Sequence, residues 1–295
     1  MRSRRLRGGL GARMHVLDIE DASGKRRKVV LRRYRPGNAP EATPESARRE
    51  SQTLELLENA GVLAPRCLLA DPDGDLLGVP TLVLSYLRGG GYPLRVGADR
   101  LVAGLAGALL QVHAVTPDRF DLAWLPAHGR QGIRDKVERR RERALSLEPL
   151  SAEIWRLLDA RKDSITKLPH CLVHEDYWPG NTVWDRGRLA GVIDWATAEV
   201  GDPRVDLAQC RLDLAISHGV QVADAFLTAY SEGAPGPLPD IWFFDLLYGL
   251  RALFYYESWL PGYHDFGLTH LTTELAGERL REFLQRTLVA AQSHP

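Results

Sequence analysis

Apolar and polar positions change rhythm along this chain. Near the start the period is two. Met14-His15-Val16-Leu17-Asp18-Ile19 alternates, and Lys28 to Tyr34 reads as a second strand after a turn at Gly24. Pro44 to Ala60 switches to a helical period, with Ala47, Leu54, Leu56 and Leu57 set among Arg48, Arg49, Glu50 and Glu55. Val62 to Ala70 and Leu76 to Leu84 give further strands across the turn Asp71-Pro72-Asp73-Gly74-Asp75. Gly89-Gly90-Gly91 then breaks the pattern and marks a junction. From Ala98 the texture is helical: Leu101, Leu105, Ala108, Leu109 and Val112 lead to His113. Gln131 to Leu147 is a charged helix with interleaved acids, a solvated face, and Ile154 to Leu168 is another helix.

Short strands return in one place. Cys171-Leu172-Val173 runs into His174, and a polar loop follows to Asn181. Thr182-Val183-Trp184 and Leu189 to Ile193 are joined by Asp185-Arg186-Gly187-Arg188, which predicts a hairpin. Helices follow over about 203–217, 220–231, 240–259 and 269–291. The third is rich in aromatics, among them Trp242, Phe243, Phe244, Tyr248, Tyr255 and Trp259. Such a stripe is core in the ordinary case; here it exceeds what one face buries, leaving rings to line a pocket. The expected division is 1–87, strands with one helix, and 88–295, mostly helical and carrying the hairpin.

Composition narrows the function classes. In 295 residues, Lys+Arg and Asp+Glu both number 38, so no bulk charge draws the chain to nucleic acid or membrane. Cys67, Cys171 and Cys210 have no paired spacing, which fits a reducing cytoplasm better than a disulfide scaffold. The basic start lacks the apolar stretch of a signal peptide, and no run approaches a membrane span. His15, His113 and His170 form no metal-hydrolase spacing with His174.

The candidate chemistry lies between Cys171 and Ala208. The predicted hairpin brings Asp176, Asn181 and Asp194 to one end of a sheet. Carboxylate and amide oxygens suit Mg²⁺, which takes one or two ligands from protein and the rest from phosphates and water. A further carboxylate beside such a site steers or accepts a hydroxyl proton, the equipment of phosphoryl transfer. Asp202 before Pro203 reads as a helix cap.

The same residues carry a resemblance. His174-x-Asp176-x-x-x-x-Asn181, then Ile193-Asp194-Trp195, then Gly201-Asp202-Pro203-x-x-Asp206-Leu207-Ala208, resembles the aminoglycoside phosphotransferase family, whose fold is similar to that of protein kinases. The resemblance implies a two-lobed α+β architecture, a small antiparallel sheet and a larger helical lobe, with the nucleotide between them. It implies that Asp176 orients and deprotonates the acceptor hydroxyl, with His174 in the same catalytic set; His174 itself reads as a packing and hydrogen-bonding residue rather than the base. Asn181 and Asp194 would hold Mg²⁺, and Asp206 would brace the catalytic loop. Arg32, pinned by Glu50, would grip the phosphates of ATP or GTP. Gly9 and Gly11 would cover the phosphates, although Ala12 and Arg13 follow where the family has Ser and Asn, and the strand lies close to the chain start. Backbone of Ser85, Tyr86 and Leu87 would meet the adenine edge, with Val30 and Ile193 on its faces. Glu199, Asp245 and Glu257 are candidates for binding a cationic acceptor.

One departure matters: Glu175 stands where the family has glycine. It is expected to raise one carboxyl by repulsion with Asp176, to favour a cationic acceptor, to face solvent, or to disturb a loop that needs positive φ. Three readings remain: a small-molecule kinase, a nucleotide-binding pseudokinase or regulatory module, and a protein kinase. The short stretch Trp195 to Gly201 argues against the last.

Overall fold

The computed structural model describes residues 2–6, 12–20, 24–34, 43–127 and 129–292. The chain forms two compact units, one of residues 1–93 with 180–198, the other of 94–179 with 199–295. The first unit carries a five-stranded antiparallel sheet in the order β1-β2-β3-β5-β4. Its strands are β1 (Arg2–Arg5), β2 (Ala12–Glu20), β3 (Arg26–Tyr34), β4 (Cys67–Asp71) and β5 (Thr81–Ser85). β1 is absent from the sequence reading because four polar, mostly basic residues show no alternation; as an edge strand its charge guards against stray pairing. On β3, Val30, Arg32 and Tyr34 are all buried, the period-two signature of one covered face.

Helix α1 (Pro44–Ala60) completes this sheet unit. Thr43 caps it by accepting from Ser46 N, Pro44 fits the first turn, and Gly61 ends it in the left-handed region. Strands β7 (Thr182–Asp185) and β8 (Arg188–Val192) form the predicted hairpin. They cluster with the first unit, whereas the sequence reading placed them with the helical part. The reason is backbone pairing: Gly90 and Trp184 exchange hydrogen bonds of 3.0 and 2.9 Å, and Val192 N donates to Leu63 O at 2.9 Å. A Cβ on Gly89 would lie 2.2 Å from the Trp184 carbonyl oxygen, so this glycine serves close approach.

The second unit is helical around one short ribbon. Strand β6 (Cys171–Val173) pairs antiparallel with β9 (Glu199–Gly201), a strand the sequence reading missed. The helices are α2 (Ala98–His113), α3 (Gly129–Glu138), α4 (Arg141–Leu147), α5 (Pro149–Arg161), α6 (Arg204–His218), α7 (Val220–Gly233), α8 (Ile241–Asp265) and α9 (Thr273–Gln292). The expected single helix over 131–147 is two. The Val137 carbonyl accepts from the Trp155 indole at 3.0 Å and from Arg140 N at 3.2 Å, a three-residue return that ends the α-helical ladder. α5 starts earlier than expected because Glu148 and Ser151 form a capping box with Pro149 inside it. α8 is apolar on most sides and buried over Trp242–Leu250, which makes it the core helix of this unit. Among the described residues no helix is long and apolar enough to cross a membrane.

Candidate active site

In the first unit the site is built on a buried cation. Arg32 leaves the covered face of β3 with only 8% of its side chain exposed. Its Nη2 donates to Asp194 Oδ1 at 2.6 Å. Its Nε lies 2.9 Å from Glu50 Oε2, off the N–H axis, so that contact is ionic rather than a hydrogen bond. Glu50 also accepts from the Tyr34 hydroxyl and from the Trp195 backbone. Burial pulls the Arg32 guanidinium down, but Asp194 and then Glu50 outweigh it and hold it above its ordinary value. Arg32 therefore stays charged, and α1 supplies the carboxylate that keeps it in place.

Asp194 follows β8 with φ 70°, a left-handed conformation that an Asp tolerates better than most residues. Ile193 N donates to Asn181 O at 2.9 Å, which sets residues 181 and 194 at the same end of the hairpin. The Asn181 side chain is buried, and 35% of Asp194's is exposed. Val30 is buried and Ile193 half-buried. Ser85 N is already engaged with Arg66 O at 2.9 Å, and its hydroxyl accepts from Arg66 N at 2.8 Å, so of the expected adenine-edge donors this one belongs to the sheet. Tyr86 lies under Lys28, 5.6 Å from its Nζ, and Leu87 crowds Gly191. Gly9 and Gly11 lie outside the described residues.

Asp176 belongs to the second unit, on the loop that leaves β6, and not to the β7–β8 hairpin as the sequence suggested. The loop is braced by Asp206 from α6, which accepts from His174 N at 2.7 Å and Glu175 N at 2.9 Å. Asp206 in turn meets His113 Nε2 at 3.2 Å, and His113 Nδ1 meets the Tyr230 hydroxyl at 2.7 Å. His174 is fully buried, edge-on to Tyr177, a packing position. Asp176 is exposed. Asp202 accepts from Arg204 N at 3.0 Å just before α6, where Pro203 and not Asp202 takes the N-cap position.

Glu175 has φ 63°, so the loop does require the left-handed region. Its side chain is 15% exposed and turns onto protein partners. Lys136 Nζ donates to Oε1 at 2.7 Å, and the Tyr248 hydroxyl donates to Oε2 at 3.2 Å. The carboxyl that Glu175 raises is Glu199 on β9. Burial first, then the charge and hydrogen bond of Glu175, push it to about 8. Glu199 thus points into this cluster. Asp245 is spent on packing, buried and held by Arg211 Nε at 3.1 and 3.2 Å. Glu257 is exposed and accepts from Tyr256 at 3.3 Å.

The sequence reading missed Asp213. It lies two helical turns beyond Asp206 on α6, a spacing of seven that keeps both on one face. Burial pushes its carboxyl up to about 7, against the hydrogen bond from Tyr263 and with help from the charge of Asp176. Trp178 packs edge-on against Tyr263 at 5.9 Å and Phe266 at 5.5 Å. An acid and an aromatic wall thus accompany Asp176 within its own unit.

The family model described as the phosphotransferase enzyme family matches residues 4–240. The chain belongs to the phosphotransferase enzyme family. Among curated proteins, a homoserine kinase of Chelativorans sp. is 30% identical over 193 residues, 62% of this chain and 58% of that protein. The curated relatives are matched over 18%, 42% and 58% of their own lengths. Among solved structures, the macrolide 2'-phosphotransferase MphH from Brachybacterium faecium superposes with a TM-score of 0.60 at 23% identity, covering 99% of this chain and 92% of that one. The GDP complex of an aminoglycoside 2'-phosphotransferase variant gives 0.67 at 16% identity, covering 98% and 93%. These likenesses establish the phosphotransferase fold: an antiparallel sheet unit followed by a mainly helical one.

Proposed function

We propose that this chain transfers the γ-phosphoryl group of ATP or GTP to a hydroxyl of a small molecule. The observation that carries the reading is Arg32, a buried cation fixed by Glu50 and bonded to Asp194. Such a guanidinium matches phosphate oxygens, and a fixed one needs no reordering when they arrive. Glu50 keeps Arg32 in place while it shares or gives up Asp194 to bind the nucleotide. Relatives named for homoserine and macrolides, and one named for aminoglycosides that carries GDP, support both the nucleotide and a small acceptor. The fold itself does not choose among acceptors.

The donor set fits Mg²⁺. Asp194 and Asn181 offer hard oxygens, and among the described residues no three His, Cys, Asp or Glu side chains form a metal cage. That is the sparse protein contribution Mg²⁺ takes when phosphates and water complete its shell. Bound there, the ion would neutralise charge on the phosphates. Asp176 accepts the proton of the attacking hydroxyl. The hydroxyl oxygen bonds to the γ-phosphorus, and the bridging oxygen leaves with the nucleoside diphosphate. Asp213 and the rings of Trp178, Tyr263 and Phe266 suit an acceptor that carries a positive charge.

The test is nucleoside diphosphate release with Mg²⁺ and ATP or GTP against a panel of hydroxyl compounds, in wild type, Asp176→Asn and Asp194→Ala. Acceptor-dependent turnover is expected in wild type. Asp176→Asn should lose about 10²–10⁴-fold in kcat, and Asp194→Ala about as much or more. Wild-type turnover in either variant would overturn the assignment. Nucleotide binding with no acceptor-dependent product would favour a regulatory module instead.

A further inference from the structure

The catalytic loop carries a charged side chain where glycine would be the easier choice, and the second unit is built to hold it. Residue 175 has φ 63°, which an L side chain adopts only at a cost. Its N–H is fixed by Asp206, and its side chain, 15% exposed, by Lys136 and Tyr248. Lys136 Nζ also meets the Tyr248 hydroxyl at 3.1 Å. Glu199 hydrogen-bonds the same carboxylate. A cavity of about 370 Å³ borders this cluster, lined in part by Ile133, Lys136, Glu175, Glu199, Asp202 and Arg204. Glu175 therefore has open space beside it and still turns onto its partners. Bonds hold it, not confinement.

We propose that Glu175 is a positioning residue for Asp176: through Lys136, Tyr248 and Glu199 it locks the peptide joining residues 175 and 176, and so sets where the Asp176 carboxylate points. The proposal rests on the phosphotransfer reading above. Backbone brace and side-chain lock act at opposite ends of one residue, so together they leave it little freedom to rotate.

The lock has an alkaline limit. Burial and the charge of Glu175 keep the Glu199 proton to about pH 8. Above that, Glu199 and Glu175 repel, Lys136 and Arg140 offset part of the charge, and Asp206 adds to the negative side. Arg140 and Asp206 also bear on Tyr248. Asp202 and Arg204 on the cavity wall neutralise each other at 2.6 Å, and Lys162, Lys167 and His170 also line it.

The experiment measures kcat and nucleotide KM from about pH 6 to 9.5, with amide exchange over residues 172–178, for wild type, Glu175→Gln and Glu199→Gln. Wild-type kcat should fall above about pH 8, and Glu199→Gln should remove that fall. Glu175→Gln should lower kcat about tenfold with nucleotide KM within about twofold, and should speed exchange of the His174 and Glu175 amides. A merely structural role would not move the alkaline limb. Wild-type kcat and exchange in Glu175→Gln, or an unchanged alkaline limb in Glu199→Gln, would overturn the proposal. Absence of turnover in wild type with every acceptor would reject the phosphotransfer reading alone, and the exchange rates would still decide whether Glu175 locks the loop.

Discussion

Replacing Glu199 by Gln should stabilise the protein, and by an amount that depends on pH. The carboxyl is 8% exposed and ionises near pH 8 in the folded chain, against an ordinary value of 4.5. Between those two values the unfolded chain has released the proton and the folded one has kept it. Folding then takes up a proton, so stability falls as pH rises from about 4.5 to about 8 and levels off above. Each pH unit in that window is worth about 1.4 kcal/mol at most. Discounted for solvent screening and for the sharing of the effect with Glu175, the loss at pH 8 is about 2–3 kcal/mol. Gln is close in shape, is neutral throughout, and still offers an N–H to Glu175. The variant should therefore match wild type near pH 4.5 and exceed it by about 2–3 kcal/mol at pH 8, a Tm gain of roughly 4–10 °C. Thermal melts of both proteins from pH 5 to 9, followed by circular dichroism, measure this. Parallel curves, with the same Tm difference at both ends, would show that Glu199 does not hold its proton and would sink the reasoning.

Glu50→Ala should strip Arg32 of one of the two carboxylates that hold it, leaving Asp194. Removing one partner of a buried pair should destabilise the first unit by about 3 kcal/mol, and calorimetry should find weaker Mg²⁺–nucleotide binding. Asp245→Asn should cost about 3 kcal/mol, because Arg211 loses its buried carboxylate and keeps Asp224 at 3.4 Å. The kcat per folded molecule should stay at the wild-type level, because Asp245 is spent on packing; a large kcat loss in the folded fraction would return it to the acceptor site.

How much of this was legible follows from how local each signal is. The hairpin of β7 and β8 and the helix α1 were readable because turn, cap and period all lie within the element. β9 was not. Glu199-Val200-Gly201 is too short to alternate, and its first residue is a buried acid that no pattern rule expects. The split of Asp176 from the hairpin was equally hidden, since it depends on β6 choosing β9 as its partner across a sequence gap. Asp194 and Asp206 lie in a motif, which compresses three-dimensional information into spacing, whereas Arg32 and Glu50 were picked out by the resemblance of their strand and helix. The partners of Glu175 carry no such spacing: Lys136 is 39 residues away and Tyr248 is 73 away. Asp213 left a trace, the interval of seven from Asp206, but helical spacing of acids is common enough to pass unnoticed.

Four residues other than glycine adopt positive φ among the described residues: Glu175, Arg186, Asp194 and Asp240. Two have ordinary reasons. Arg186 lies in the hairpin turn beside Gly187, and Asp240 caps α8. The other two stand in the segments that carry Asp176 and the proposed metal ligands; neither closes a two-residue turn, and Asp194 stands before the one-turn 3₁₀ helix Trp195–Thr197 without a side-chain cap bond. A left-handed conformation costs of order 1–3 kcal/mol and persists only where neighbours over-determine it. Here they do so by charge. Asp194 is held by Arg32 at 2.6 Å, and Glu175 by Lys136 at 2.7 Å. Each strained acid thus has its own half-buried or buried cation within its own unit. Neutralising either cation should let the backbone relax toward negative φ. The strain is then a consequence of where the chain needs a carboxylate to point, and the cations are what make that direction stable.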